Sequence, residues 1–278
     1  MSIFFNCNGR LYKDGTAIFT TDNRSFRYGD GLFETLKLRK AEIVRGALHF
    51  ERLFSGLTLM RFNIPAHFTP AFLINEILQL AAANKHLDLA RVRLTVYRGD
   101  GGLYDFQNHL PRYLIQTWPL ADNVGEWNQN GLITEVFPDA HKPCDLLANI
   151  KSNNFLPYAL AAVFAKQYSL NDAIILNTNG RVCDSSIANI FMVKDGIIYT
   201  PPLSEGCIAG VFRKMLLHRL PEYFDIRENS LTIADLESAD EIFLTNSIHN
   251  IRWVKSFGQS TYGHELAFKI YLIFQATI

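Results

Sequence analysis

The sequence lacks most of the features that mark metal-binding, disulfide-bonded or membrane proteins. It contains four cysteines in 278 residues, and no two of them form a CxxC pair. Neither a disulfide framework nor a zinc site is indicated by such spacing. The eight histidines include no HExxH arrangement, so we predict no metal site. No apolar run is long enough to cross a bilayer and no signal-peptide pattern opens the chain, so we expect a cytoplasmic protein with no membrane contact.

Neither sign of charge dominates the chain. Lysine and arginine together number 27, and so do aspartate and glutamate, which gives a formal net charge of zero. No basic or aromatic stripe predicts nucleic-acid binding. The hydrophobic content of 48% is enough for a substantial core, and a neutral surface permits association between copies.

Apolar periodicity predicts a mixture of helices and strands, which is an α+β fold. Turn pairs such as Asn8-Gly9 predict antiparallel strands at the start of the chain. Helices are predicted at residues 48–62, 70–83, 156–165 and 262–274 and directly after Gly210, and strands at 91–97, 113–118, 172–176, 190–193, 197–200 and 241–245. We expect the later strands to be antiparallel as well. The polar stretch 119–127 predicts a linker between a domain at 1–118 and a larger one at 128–278.

Lys151 is the first candidate for chemistry, because it lies between a predicted strand end and a predicted helix start. A lysine at such a junction can be pressed against apolar surface and lose its proton easily, which a Schiff-base amine requires. Lysines at loop ends are nearly always plain solvated charges, so the position of Lys151 alone does not show that it is catalytic. Arg52, which lies beside the apolar stripe of residues 48–62, also has two interpretations. It is either a charge at the solvated edge of a helix or a phosphate ligand.

Other polar positions also admit two interpretations. Arg91, Arg93 and Arg98 lie near the glycine-rich loop at 98–103, where they either hold a substrate carboxylate or form a solvated basic edge. Asp184 lies in a polar segment between apolar strands, and the residues alone favour a turn cap over a carboxylate that faces a buried cation. For residues 29–31, Gly-Asp-Gly, a tight turn is favoured over a phosphate cradle, since the segment carries its own negative charge.

Taken together, these segments resemble the fold-type IV, pyridoxal-phosphate-dependent family, which includes branched-chain aminotransferases, D-amino-acid aminotransferases and 4-amino-4-deoxychorismate lyases. The similar segments, in order, are 29–35, 49–53, Lys151 with Asn154, 179–191, 200–202, 210–213 and 245–247. The resemblance implies a two-domain α+β fold with the cofactor at the domain interface, the Schiff-base lysine in the larger C-terminal domain, and a homodimer.

The resemblance also implies a role for each matching residue. Lys151 would bond covalently to the cofactor aldehyde and then move a proton during catalysis. Arg52 would hold the cofactor phosphate with the backbone N–H groups of Val211 and Phe212 and the hydroxyl of Ser247. Asp184 would face the pyridine nitrogen. The substrate-binding candidates are Arg91, Arg93 and Arg98.

Three positions depart from the family pattern. Asp184 replaces the usual glutamate, Phe212 stands where threonine is common, and Leu156 stands where branched-chain aminotransferases have a tyrosine. The resemblance is nearest to the lyases, through residues 33–35, 91–94, 98–102 and 245–247. It implies a lyase that forms 4-aminobenzoate and pyruvate in folate synthesis. An L-amino-acid transaminase of the branched-chain type and a degenerate, non-catalytic cofactor-binding member are the alternatives.

Overall fold

We describe residues 3–104 and 108–275 of a computed structural model of the chain. The chain forms two compact units. The first comprises residues 1–124 together with 150–154, and the second comprises residues 125–149 together with 155–278. The boundary after Val124 falls inside the predicted linker at 119–127.

The first unit is an antiparallel sheet with helices packed on one face. Its strands are β1 (Phe4–Cys7), β2 (Arg10–Lys13), β3 (Gly31–Arg39), β4 (Glu42–Ile43), β5 (Leu89–Arg98) and β6 (Pro111–Pro119), in the spatial order β2-β1-β6-β5-β3-β4. Its helices are α1 (Arg24–Tyr28), α2 (Gly46–Leu59) and α3 (Pro70–Ala83). Alternate strand residues such as Leu36, Val92 and Leu94 are fully buried in one core with the apolar faces of α2 and α3.

Local chemistry explains why α3 begins where the sequence predicts. The Thr69 side chain accepts a hydrogen bond from the Phe72 N–H, and Pro70 occupies the first turn, where no intrahelical N–H bond is lost.

Gly29 ends α1 in the left-handed conformation, and Asp30 bonds the guanidinium groups of Arg24 and Arg98. The Gly-Asp-Gly segment is therefore a left-handed helix cap that leads directly into β3, rather than a separate turn.

The segment that carries Lys151 belongs to the first unit, which corrects the predicted placement of this lysine in the C-terminal domain. The Phe33 N–H donates to the Lys151 carbonyl and the Asn153 N–H to the Gly31 carbonyl, both at 2.9 Å. A Cβ on Gly31 would lie 2.6 Å from the Asn153 Nδ2, so glycine permits this close approach. The chain thus returns to β3 for five residues before it continues in the second unit.

The second unit contains a nine-stranded sheet. Its strands are β7 (Leu132–Val136), β8 (Asp172–Leu176), β9 (Val182–Ser185), β10 (Asn189–Lys194), β11 (Ile197–Thr200), β12 (Ile226–Glu228), β13 (Glu241–Asn246), β14 (Asn250–Phe257) and β15 (Ser260–Thr261). Its helices are α4 (Leu156–Gln167), α5 (Val211–Arg219), α6 (Ile233–Glu237) and α7 (Glu265–Gln275), with single 3₁₀ turns at Leu203–Glu205 and Leu220–Glu222.

The sheet of the second unit is mixed. The antiparallel pairing expected for the strands at 190–193 and 197–200 is confirmed in β10 and β11, and the parallel pairs involve strands that were not predicted. The order of the sheet is β12-β11-β10-β13-β14-β7-β8-β9, with β15 beside β14. β7 pairs in parallel with both β8 and β14, and β11 pairs in parallel with β12. The parallel pairs join strands that helices separate along the chain, which short-range turn signals do not reveal. Within the described ranges, no helix combines the length and apolar character needed to cross a membrane.

Candidate active site

Lys151 lies against an aromatic ring of the first unit. Its Nζ is 4.7 Å from the centroid of the Phe33 ring, and the Arg93 guanidinium carbon is 3.9 Å from the same centroid. The Lys151 contact follows from the backbone bonds that hold residues 151–153 beside the start of β3, and the Arg93 contact follows from the pairing of β3 with β5. The Lys151 amine and the Arg93 guanidinium therefore lie over one aromatic ring.

Arg93 and Arg91 lie on the sheet face opposite the hydrophobic core. In the register of β3 and β5, Arg93 is opposite Thr35 and Arg91 is opposite Lys37. Since Val92 and Leu94 point into the core, the odd-numbered positions of β5 point the other way. Burial and the charge of Arg91 lower the pKa of Arg93 from its usual value. This face therefore carries two of the three arginines that the sequence offers for a substrate carboxylate.

Lys37 belongs to the same face, and the sequence analysis missed it. Its side chain is 1% exposed, and its Nζ has no hydrogen-bond partner. Burial, followed by the charges of Arg45 and Arg39, lowers the pKa of Lys37 to about 8. The sequence pattern could have identified Lys37, because a lysine between Leu36 and Leu38 in a buried strand is unusual.

Arg98 has a different role from the one expected. It is 2% exposed, its Nε donates to Asp30 at 3.0 Å, and its Nη2 donates to the Met60 carbonyl at 2.6 Å. As an even-numbered residue of β5 it points to the opposite face from Arg91 and Arg93. These contacts make Arg98 a structural link between the Gly29–Gly31 segment and the end of α2, and they do not support its assignment as a substrate ligand.

Arg52 is oriented by a buried carboxylate. Its Nε and Nη2 donate to the two Glu34 carboxylate oxygens at 2.8 and 2.6 Å, and the His49 Nδ1 lies 2.7 Å from Oε2 of the same residue. Burial alone would raise the pKa of Glu34, but the Arg52 charge and the His49 hydrogen bond outweigh it and lower that pKa to about 2. Burial also lowers the pKa of His49, so the ring is neutral and donates from Nδ1. Arg52 is thus a charged and fixed group, as an anion ligand should be.

Asp184 lies in the second unit, in a buried network of hydrogen bonds. Its Oδ2 accepts from the Tyr158 hydroxyl at 2.6 Å and from the Ile208 N–H at 2.8 Å, and its Oδ1 accepts from the Asn189 Nδ2 at 2.8 Å. The Lys142 Nζ lies 3.5 Å from Oδ2. Asp184 therefore faces a buried cation rather than capping a turn, and the favoured interpretation from the residues alone is wrong.

The start of α5 and the turn after β13 carry the other predicted phosphate ligands. Helix α5 begins at Val211, and its cap residue Gly210 provides no side-chain hydrogen bond to the first turn. The Phe212 side chain is 1% exposed and packs in the core, so the hydroxyl lost at this position is replaced by apolar packing. Ser247 is partly exposed in a turn that the Asn246 side chain fixes through the Ile248 and His249 N–H groups.

Leu156, the third departure from the family pattern, begins α4 and is 63% exposed. The aromatic contact in this part of the chain comes instead from Phe155, whose ring stacks on Tyr158 with centroids 4.1 Å apart. The hydroxyl that reaches Asp184 is therefore supplied by Tyr158. The sequence analysis did not single out Tyr158 or Lys142.

Comparison with known proteins decides the family. The model of amino-transferase class IV matches residues 31–257. The chain belongs to this family. It is 30% identical to the aminodeoxychorismate lyase of Vibrio harveyi over 81% of this chain and 82% of that protein. It is 28% identical to a putative branched-chain-amino-acid aminotransferase of Methanocaldococcus jannaschii over 88% and 84% of the two chains.

A solved structure extends the likeness to the fold. The 4-amino-4-deoxychorismate lyase of Pseudomonas aeruginosa superimposes with a TM-score of 0.82 at 26% identity, over 98% of each chain. The expected α+β, fold-type IV architecture is confirmed, and the chain is an enzyme of the class IV aminotransferases. Class IV aminotransferases depend on pyridoxal phosphate.

The residues present fit this cofactor at all predicted positions but one. Lys151 offers an amine against an apolar ring, Arg52 is charged and held in place, and the start of α5 lacks a capping side chain. The Lys151 amine suits reaction with an aldehyde, and Arg52 and the N–H groups at the start of α5 suit binding of a phosphate. Asp184 is the exception, because each of its oxygens already accepts a hydrogen bond within the second unit.

Proposed function

We propose that the protein is a pyridoxal-phosphate-dependent 4-amino-4-deoxychorismate lyase. The observation that carries the proposal is the cationic face of the first unit, together with the similarity to the Vibrio lyase. This face bears Lys37, Arg91 and Arg93, and the outward positions of β3, β5 and β6 contain no acidic residue among those described. A substrate with two carboxylates suits such a face, because each carboxylate finds a cation without a competing acid.

The reaction converts a cyclohexadiene into an aromatic ring. A proton leaves the carbon that bears the amine, the C–O bond to the enolpyruvyl group breaks, and the enolpyruvyl group gains a proton to become pyruvate. The remaining ring is 4-aminobenzoate, so the two products together contain all atoms of the substrate. When bound, the cofactor supplies an electron sink for this proton loss.

The chain's own residues bind the reactants and move the proton. In this proposal Lys151 holds the cofactor and is the base that takes the proton from carbon. Arg91 and Arg93 orient the substrate through its carboxylates. Arg52, the N–H groups of Val211 and Phe212, and the Ser247 hydroxyl hold the phosphate.

A product assay on cofactor-loaded protein tests the proposal. With 4-amino-4-deoxychorismate as substrate, we expect pyruvate and 4-aminobenzoate in equal amounts. Arg93→Met should lower kcat/KM about 10- to 100-fold, which corresponds to the loss of one hydrogen bond between charged groups. Arg61→Met, at an exposed position after α2 and outside the sheet, is the control and should leave the rate unchanged. If no pyruvate is released, the lyase proposal is wrong.

The second candidate is a transaminase that acts on L-amino acids of the branched-chain type. The similarity to the Methanocaldococcus protein favours it. In a parallel arm, L-glutamate, branched-chain and D-amino acids are offered singly, and the absorbance of the bound cofactor is followed. Conversion of the cofactor to its pyridoxamine form without pyruvate release would establish the transaminase, and inertness in both arms would identify a degenerate, non-catalytic member.

A further inference from the structure

The carboxylate of Asp184 is enclosed by groups that belong to the second unit alone. It is 1% exposed, and its neighbours Tyr158 and Lys142 are each 5% exposed. The Lys142 Nζ donates to the Tyr158 oxygen at 2.5 Å, and the Tyr158 hydroxyl donates its proton to Asp184. We call these three residues the Lys142 triad. A charge-assisted chain of this kind fixes the position of each member.

Backbone contacts hold Lys142 in the triad. The Lys142 N–H donates to the Leu176 carbonyl at the end of β8, and the Thr178 N–H donates to the Lys142 carbonyl. These bonds form an isolated parallel bridge between Lys142 and Asn177. The backbone position of Lys142, and with it the start of the side chain, is therefore fixed by pairing at the edge of the sheet.

Burial and the neighbouring groups act on the charge of Asp184 in opposite directions. Burial raises the pKa of Asp184, and the Lys142 charge and the hydrogen bonds to Asp184 act against that rise. Burial and the charge of Asp184 also raise the pKa of Tyr158, which therefore stays protonated. The other titratable neighbours are Cys183 and Cys207, and burial raises the pKa of both thiols, so they add no charge. Lys142 is thus the one basic side chain within ion-pair distance of Asp184 among the described residues.

A neutralised carboxylate cannot stabilise a second cation well. A lone carboxylate beside a pyridine nitrogen favours the protonated ring, whereas an ammonium 3.5 Å from that carboxylate opposes a further positive charge. The aspartate also accepts hydrogen bonds on both oxygens from the protein itself. The usual glutamate of the family is longer than this aspartate by one methylene group.

We propose that the Lys142 triad leaves the ring nitrogen of pyridoxal phosphate without a proton at neutral pH. This inference rests on the proposed function, and it deepens it. A ring with an unprotonated nitrogen is a weaker electron sink, so it disfavours transamination, which requires the ring to hold a full electron pair. Loss of pyruvate is affected less, since the substrate ring gains aromaticity as the C–O bond breaks.

Nitrogen NMR of protein loaded with pyridoxal phosphate labelled with ¹⁵N in the ring tests the inference. We expect the wild-type resonance at the position of a neutral pyridine, and a shift to the pyridinium position in Lys142→Met. Lys194→Met, which removes a lysine paired with Asp240 on the surface of the same unit, is the matched control and should not move the resonance. Asp184→Asn should also leave the resonance where it is in the wild type.

The wild-type spectrum is decisive even if a variant fails to fold. A pyridinium resonance in the wild type that is lost in Asp184→Asn would overturn the inference and leave the lyase proposal intact. Failure of the labelled cofactor to bind, measured separately by its absorbance after gel filtration, would overturn the proposed function and the inference together. A second expected readout is a higher rate of cofactor conversion by L-glutamate in Lys142→Met than in the wild type.

Discussion

Glu34 is the residue that fixes the orientation of Arg52, and it does so as a buried anion. Its pKa falls from 4.5 to about 2 in the folded protein, despite burial, because of Arg52 and His49. A shift of this size contributes ~3 kcal/mol to stability above the unfolded pKa. Since the folded pKa is depressed, the contribution is present at neutral pH and is lost as pH falls from 4.5 through 2.

We therefore expect Glu34→Gln to lower the free energy of unfolding by ~3 kcal/mol at neutral pH, with a smaller difference from wild type as the solution becomes more acidic. Urea unfolding across this pH range measures both. Glu42→Gln, at an exposed position of β4, is the control and should change little. A difference that does not depend on pH would contradict the assigned ion pair.

Lys37 makes the opposite prediction, because it is a buried cation whose Nζ has no partner. Its pKa is lowered from 10.5 to about 8, so the charged form costs stability below pH 8, and this cost disappears as pH rises through 10.5. In cofactor-free protein, Lys37→Met should raise the unfolding free energy by ~3 kcal/mol at neutral pH and by less in alkaline solution. Lys13→Met, at an exposed position of β2, is the control. A destabilised Lys37→Met at neutral pH would show that Lys37 has a structural partner.

The residues that could be identified from the sequence are those whose role depends on a motif. Lys151 and Arg52 fall within segments that resemble the family, and the structure places both in the first unit in defined contacts. Lys142 and Tyr158 were not predicted because they meet Asp184 only through the fold. Arg98 was misassigned because its neighbours on the opposite face of β5 are also arginines.

At the scale of the helix and strand, the start of α5 is the element most sensitive to a single atom. A Cβ on Gly210 would lie 1.8 Å from the Asn189 Oδ1, and the Asn189 Nδ2 bonds Asp184. Gly210→Ala should therefore shift the helix start, lower the unfolding free energy by about 1–3 kcal/mol and weaken cofactor binding. Gly263→Ala, where the nearest atom is 3.8 Å from the added Cβ, is the control. Unchanged cofactor affinity in Gly210→Ala would argue against a phosphate site at α5.

Elements with strong local signals could be predicted almost to the residue, and others could not. The helix α3 and the strands β8 and β11 have the predicted bounds, since a cap or a run of β-branched residues marks them. β9 was interpreted as a polar segment rather than a strand, because Asp184 and Ser185 are polar although all four of its residues are buried. Their partners lie on other elements, and local polarity carries no information about them.

At the scale of the whole molecule, the division of the chain into units was predicted in part. The boundary near residue 124 coincides with a polar linker, which composition reveals. The return of residues 150–154 to the first unit depends on pairing with β3, which lies more than 100 residues earlier in the chain. No local sequence pattern predicts this pairing. Lys151 is therefore carried by a segment that interrupts the second unit.

The role proposed for Lys151 is tested by identifying the lysine that bonds to the cofactor. The protein is loaded with pyridoxal phosphate, reduced with borohydride, digested and analysed by mass spectrometry. We predict that the reduced cofactor is found on Lys151 and that Lys151→Ala carries none. A label on Lys37 or Lys142, the two buried lysines among the described residues, or no label at all, would contradict the role proposed for Lys151.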